Sequence, residues 1–475
     1  MRPDRTLAIS FLRSLQDIVG SSNVLNDLER RSSYGVDALG IGRPADAVVL
    51  PNSTDQVAGV LKLCSANDIS ITPRGAGTGY TGGAVPVNGG IVLALDHFNK
   101  IIELDRRNLL AVVQPNVVTG TLQQAVEELD LFYPPDPASL NHSVIGGNVA
   151  ECAGGPRAFK YGTTKRYVLG LEAVLANGQI IRTGGKSVKN VVGYDLTSLL
   201  VGSEGTLAIV TEIILRLIPR PKSRSTLQVD CESIEQAIAA VDAIVVAGVI
   251  PAALELIDGD CIKAMESYQN SRAPSGLGAA LLIEVDGMPT AVDEEATQVI
   301  QACQAVGLEA RKAHTPAERE RLWDERRNLS LALRAHAPKK LNHDVVVPKG
   351  RIPELFEVIQ RLKTTYDLQI PSFGHVGDGN IHVNILLDPD NLIERERAEN
   401  AEAELFQAVV GLEGSITGEH GIGFSKSKFL ELELSDHTIE TMRGLKRAFD
   451  PRGILNPGKI FPEERNEVSV DPVSL

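Results

Sequence analysis

Cysteine is sparse and scattered: Cys64, Cys152, Cys231, Cys261 and Cys303 are the only five in 475 residues, and no two form a Cys-x-x-Cys pair. This excludes a ferredoxin-type iron–sulfur cluster and a structural zinc ribbon. Free thiols in a reducing compartment are expected instead. A haem motif and a nicotinamide fingerprint are likewise missing. No run reaches the roughly 20 apolar residues that span a bilayer, and Met1-Arg-Pro-Asp-Arg-Thr6 lacks the apolar core of a secretory signal. Positive charge is in deficit, at a formal net −14, which argues against nucleic acid as a main partner. A small anionic substrate stays compatible, because local charge matters more than the sum. A cytoplasmic protein is expected, with peripheral membrane contact and homodimerisation left open.

With 43% hydrophobic and 23% charged residues, the chain has material for roughly two or three globular domains. In the first half, apolar spacing predicts a helix over residues 8–20, a strand at Ala47–Pro51, a capped helix from Ser53 to Asn67 and a strand at Ile69–Pro73. Arg74-Gly-Ala-Gly77-Thr-Gly79-Tyr-Thr-Gly82-Gly83 follows. Gly77–Gly82 formally fits G-x-G-x-x-G, but that fingerprint must open a helix. Here it runs into Pro86 and a strand at Gly90–Leu95. It reads better as a long loop whose backbone N–H groups form a nest for phosphate oxygens. Two more glycine-rich clusters span residues 133–155 and 193–209, and such density lets backbone approach an extended ligand closely. Asn177-Gly178 marks a hairpin between strands 168–176 and 179–183.

The second half carries His375-Val-Gly-Asp-Gly-Asn-Ile-His382-Val-Asn384 and Gly418-Glu419-His420-Gly421-Ile-Gly423. Alternation over residues 381–387 puts His382 and Asn384 on one strand face and Ile381, Val383 and Ile385 on the other. The Gly377-Asp-Gly379 turn brings His375 back towards His382, and Glu419 follows a short strand at Ser415–Thr417. Two imidazoles and a carboxylate are a common divalent-metal set, open between Zn, Mn and Fe(II), and three protein ligands leave catalytic positions free. His420, beside that carboxylate, is free to move a proton. The remaining stretches after Pro221 alternate strand-like and helical, an α+β sandwich with helices on one face of an antiparallel sheet. Thr315-Pro316-Ala-Glu318 is a capping box opening a helix that contains Trp323, Arg326 and Arg327.

Pro73–Gly83, Pro134–Gly155, Lys189–Thr211, His375–Asn384, Gly418–Gly423 and Leu455–Lys459 together resemble the D-lactate, glycolate and D-2-hydroxyglutarate dehydrogenase branch of the vanillyl-alcohol-oxidase / p-cresol-methylhydroxylase superfamily. The resemblance covers the chain nearly end to end. It implies an α+β protein with a two-subdomain FAD-binding domain over residues 1–221, a substrate and cap domain with the metal site over 222–450, and a segment over 451–475 returning to the FAD domain. FAD is implied on Arg74, Gly75, Ala76, Gly77, Thr78, Gly79, Thr81 and Gly82; on Pro135, Asp136 and Ser139; on Gly146, Gly147 and Asn148; on Gly154, Gly155, Tyr161 and Gly162; and on Glu204, Gly205, Ile209 and Asn456. Some relatives attach flavin covalently through a histidine in the first loop; Thr78 and Gly79 stand here, which implies non-covalent FAD. Relatives also often have Asn where Cys152 stands.

The implied reaction is oxidation of a D-2-hydroxy acid, D-lactate or glycolate foremost and D-2-hydroxyglutarate as the alternative. The acid chelates a metal on His375, His382 and Glu419, and His420 removes the hydroxyl proton. Arg326 and Asn384 orient the carboxylate, and hydride passes to flavin N5. Electrons then go to a quinone, a cytochrome or a partner subunit. Asn342, where dicarboxylate-handling relatives have Lys, favours a monocarboxylate. Two rivals stay open from sequence: a flavin-free metal-dependent hydrolase or lyase, and an inactive flavin-bearing subunit.

Overall fold

The computed structural model describes residues 7–269 and 277–462. Residues 463–475, the end of the expected returning segment, lie outside them. In the first half, Ala47–Val49, Ile91–Ala94 and Ile71–Arg74 pair in parallel, with Val24–Leu25 antiparallel at one edge. Their Val, Ile and Leu side chains are buried on both faces, as expected of parallel strands covered by helices. The Thr54–Ala66 helix is capped by Ser53, whose hydroxyl accepts from the Gln56 N–H. Residues 75–90 connect two neighbouring strands without a helix, so the glycine stretch is a loop, as its context indicates.

A five-stranded antiparallel sheet follows, in the order Ile101–Asp105, Leu110–Val113, Ile209–Arg216, Val168–Val174, Ile180–Gly184. Gly178, at φ +77°, makes the hairpin turn. The cluster around Gly146 is in part the short helix Ile145–Glu151, which ends at Cys152 with φ +55°. That left-handed position favours Gly or Asn, which explains physically why Asn suits it in relatives.

The second half builds seven antiparallel strands in the order Ala310–Lys312, Ser223–Cys231, Ala279–Gly287, Ala253–Asp258, Ser372–His375, Asn380–Leu387, Lys339–Val346. Four helices, Ile234–Val246, Pro289–Ala305, Ile352–Tyr366 and Leu392–Gly411, share its larger core. The expectation of helices on one face only is corrected. Gly259–Gln269 and Pro316–His336 pack on the other face, around Phe373, Leu329 and Leu333. Alternation explains the split: Leu254, Leu256, Ile381 and Val383 enter the larger core, while Glu255, Phe373, His375 and His382 point the opposite way. The Thr315 capping box and Pro316 at the helix start are present as read. Residues 415–417 form only an isolated bridge, Val346 to Ser415, rather than a strand. The chain finally returns to the first sheet, where Leu455 bridges Ile71 and the Asn456 N–H donates to the Ile71 carbonyl at 2.7 Å. No helix among the described residues is long and apolar enough to cross a membrane, and the five cysteines are free.

Candidate active site

One cavity of about 870 Å³ runs between the two halves. One wall is glycine-rich and carries Gly75 to Gly79, Gly146, Gly147 and Gly205; the other is the exposed stripe of the Pro316–His336 helix together with His375, His382, Glu419 and His420. The histidines meet because Ser372–His375 and Asn380–Leu387 are hydrogen-bonded neighbours, with Phe373 opposite His382. The His375 and His382 ring centroids are 5.3 Å apart, nearly perpendicular, and the His420 ring stacks on His382 at 5.5 Å. Glu419 Oε1 stands 3.8 Å from His375 Nε2, 3.6 Å from His382 Nε2 and 3.9 Å from His420 Nε2. Ligand atoms of His375, His382 and Glu419 lie within 4.8 Å of one another. Burial pushes the His382 imidazole down to about 3, which leaves it neutral with a lone pair to offer.

Two carboxylates hold this cluster, and the sequence reading passed over both. Glu255, fully buried, takes His375 Nδ1 on one oxygen at 2.6 Å and Arg326 on the other, Nε at 2.6 Å and Nη2 at 2.5 Å. Burial alone would raise its pKa, but Arg326 and His375 outweigh this and hold it at about 2. Asp344 is also fully buried. Its Oδ2 accepts from the backbone N–H groups of Gly418, Glu419 and His420 at 2.7–2.9 Å. Its Oδ1 meets the Lys426 ammonium and stands 3.2 Å from His420 Nδ1. Burial opposes its charge, yet His420 and Lys426 keep its pKa well below the ordinary range. Glu255 stands among apolar residues in Ala253-Leu-Glu-Leu-Ile257, and Asp344 directly precedes the apolar run Val345-Val-Val347. An unpaired buried charge is too costly to occur without a partner, so that pattern is the signal that could have found them.

Other expected residues divide. Arg74, Gly75, Ala76, Gly77, Thr78, Gly79, Asp136, Ser139, Gly146, Gly147, Asn148, Glu204, Gly205 and Ile209 all line the cavity. Arg74 also reaches backwards: its guanidinium donates to the Val36 carbonyl at 2.7 Å and braces the loop from behind. Thr81, Gly82, Pro135, Gly154, Gly155, Tyr161, Gly162 and Asn456 do not line it. Several serve chain-to-chain contact instead. The Thr81 hydroxyl donates to the His420 carbonyl, Gly82 makes room for Phe424, and Gly154 for Glu419. The Tyr161 hydroxyl donates to Asp286 across the two halves, and the Asn456 amide bridges the Gly83 and Glu204 carbonyls. Asn384 is also off the cavity; its amide donates to the carbonyls of Pro371 and His382 and so fixes the strand behind His382. Asn342, its cross-strand neighbour, does line the cavity, as do Tyr80 and Trp323.

An extended ligand fits the glycine-rich wall. A Cβ built on Gly79 or Gly147 meets no protein atom closer than 3.8 Å, so no neighbouring side chain requires glycine there. The space they leave belongs to the cavity.

The comparisons with known proteins agree with this layout. Residues 45–184 match the family "FAD binding domain" and residues 220–460 match "FAD linked oxidases, C-terminal domain". The chain is 45% identical to the glycolate oxidase subunit GlcD of Bacillus subtilis (strain 168), over 88% of this chain and 89% of that protein. It is 37% identical to the D-lactate dehydrogenase of Anaerostipes hadrus, over 89% and 90%. Its fold is similar to that of p-cresol methylhydroxylase, with a TM-score of 0.80 at 20% identity, covering 95% of this chain and 96% of that one.

Proposed function

The chain belongs to the FAD-linked oxidases, and from that premise we propose that it oxidises a D-2-hydroxy acid, D-lactate or glycolate, to the 2-oxo acid with the help of a divalent metal. The flavin-free hydrolase reading falls with that membership. The observation that carries the proposal is the junction of the glycine-rich wall with the His/His/Glu/His cluster in one cavity.

Gly75–Gly79, Gly146–Asn148 and Gly205–Ile209 would hold FAD non-covalently, and FAD would supply the acceptor for the hydride from C2. His375, His382 and Glu419 would hold a divalent ion, which would supply a Lewis acid for the substrate hydroxyl. The chain's own residues do the rest. Asp344 beside His420 Nδ1 favours the tautomer with its proton there, so Nε2 is free to take the hydroxyl proton. Tyr80 flanks the imidazole at 5.2 Å. Arg326 keeps one guanidinium edge on Glu255 and presents the other to the substrate carboxylate. Glu255 in turn fixes the His375 ring, leaving Nε2 towards Glu419. Electrons leave to a quinone, a cytochrome or a partner subunit.

The test is anaerobic mixing of the purified yellow protein with D-lactate or glycolate: flavin absorption should bleach, and L-lactate should leave it coloured. Absence of bleaching by any D-2-hydroxy acid ends the proposal. Acid precipitation is expected to release all the flavin into the supernatant, since Thr78 and Gly79 stand where covalent relatives carry the linking histidine; yellow colour staying in the pellet contradicts non-covalent binding. Replacing Glu255 with Gln should weaken metal retention by about 10–100-fold, read as metal per chain after dialysis against graded chelator. Unchanged retention would remove Glu255 as the support of the metal ligand His375.

A further inference from the structure

The loop carrying Glu419 and His420 is held by two carboxylates from opposite halves of the chain. Asp344 takes the N–H groups of Gly418, Glu419 and His420. The N–H groups of Ile422 and Gly423 donate to Glu204 Oε1 and Oε2, each at 2.7 Å. Glu204 comes from the flavin side: it follows the Leu196–Leu200 helix, and Ser203 and Gly205 beside it line the cavity.

Glu204 is built in rather than incidental. It is buried, with φ +51°, a conformation uncommon outside glycine. Its own N–H donates to the Ala150 carbonyl at 2.9 Å, and its carbonyl accepts from the Asn456 amide at 2.8 Å, so backbone contacts on both sides maintain that conformation. The loop descends onto it at Gly421, where a Cβ would stand 2.2 Å from Glu151 Oε2 and 2.9 Å from Glu204 Oε1. Both oxygens of one carboxylate on two successive amides fix the loop's position and its rotation together. Thr81 adds three contacts from the same side: its hydroxyl donates to the His420 carbonyl, and its carbonyl accepts from the Phe424 and Ser425 N–H groups.

We infer that Glu204 is a positioning residue for the proposed oxidation: it latches the Glu419–His420 loop to the flavin side and so sets where the base and the carboxylate ligand stand relative to the glycine-rich wall. The inference rests on the function proposed above. Without the latch, the loop keeps its Asp344 anchor and the Thr81 and Ile460 contacts at residues 423–425, but the turn at Ile422 and Gly423 loses its carboxylate, so His420 shifts relative to the cofactor wall while cofactor binding itself persists.

Glu204→Gln offers one oxygen and one NH₂ to two N–H donors, so one amide loses its acceptor. Hydrogen–deuterium exchange on the flavin-loaded protein, resolved by fragmentation, should show the Ile422 and Gly423 amides exchanging roughly tenfold faster, with Gly418 to His420 unchanged. In stopped flow, flavin reduction at saturating D-lactate should slow by about 10²-fold, with flavin content and half-saturating D-lactate both near wild type. Gly421→Ala pushes the loop off the same carboxylates from the other side and should reproduce both effects. The double variant should lose less than the product of the singles. Wild-type exchange at Ile422 and Gly423 in Glu204→Gln overturns the inference, as does flavin reduction within about twofold of wild type, on the same 10²-fold scale. Flavin loss with a normal rate in the retained fraction also overturns it, by making Glu204 a cofactor-retention residue. If the wild-type flavin is not bleached by any D-2-hydroxy acid, the proposed function fails instead, and the exchange result alone decides whether Glu204 holds the loop.

Discussion

Replacing His420 with Ala should slow flavin reduction by D-lactate or glycolate by about 10²–10⁴-fold, the usual contribution of a positioned general base. Flavin content and metal content should stay at wild type, because His375, His382 and Glu419 keep their ligand atoms, and Asp344 still holds the loop through three backbone N–H groups. The half-saturating substrate concentration should change little, since the lost interaction matters when the proton moves. The truncation also leaves room for an imidazole between Tyr80 and His382, the two rings that flank His420. Added imidazole should therefore recover part of the rate. Stopped-flow bleaching with and without imidazole checks both points. A variant within about tenfold of wild type, below the span expected of a general base, would mean that another group takes the proton.

Asp344→Asn should be the most damaging single substitution for its size. The carboxylate fills two incompatible roles for an amide: one oxygen accepts three backbone N–H groups, the other faces Lys426 and His420. An Asn can keep one of these and must present NH₂ to donors at the other. If the amide oxygen stays on the backbone, His420 loses the group that orients its Nδ1 proton. A comparable change in a protease triad lowers turnover by about 10⁴-fold through the wrong tautomer, and a loss of roughly 10³-fold is expected here. The buried Lys426 also loses its counter-charge, and breaking a buried pair on one side costs about 3–5 kcal/mol. Thermal unfolding should shift down together with turnover, whereas His420→Ala should shift turnover with little change in unfolding. A stable, active Asp344→Asn would show that the loop is held some other way.

The contrast between these two residues explains how much of the site could be read in advance. His375, His382, Glu419 and His420 stand out because imidazole and carboxylate on glycine-flanked segments have few other uses in that density. Asp344 and Glu255 act through partners about 75 and 120 residues away, and no local pattern reports a partner. Glycines were ambiguous for the same reason. Gly79 and Gly147 leave empty space in the cavity, whereas Gly82, Gly154 and Gly421 admit another stretch of this chain. In sequence the two kinds look alike, because both need only the absence of a Cβ. Asn384 shows the converse case. It shares the His382 face, as period two requires, but it lies one pair further along the strand, where Pro371 backbone covers it.

Sequence alone therefore determined the class of protein and the residue set of its candidate centre: a glycine-rich first half, an α+β second half, and a His/His/Glu/His set on predictable turns and strand faces. These are local properties, written in spacing, alternation and turn residues. Tertiary structure decided how the centre is held and where it stands. It assigned Glu255 to His375 and Arg326, Asp344 to His420, and Glu204 to the loop between them. It also turned part of the second half's sheet, with its chemistry, towards the glycine-rich wall. Each of those is a contact between distant segments, and only packing brings such segments within hydrogen-bond reach.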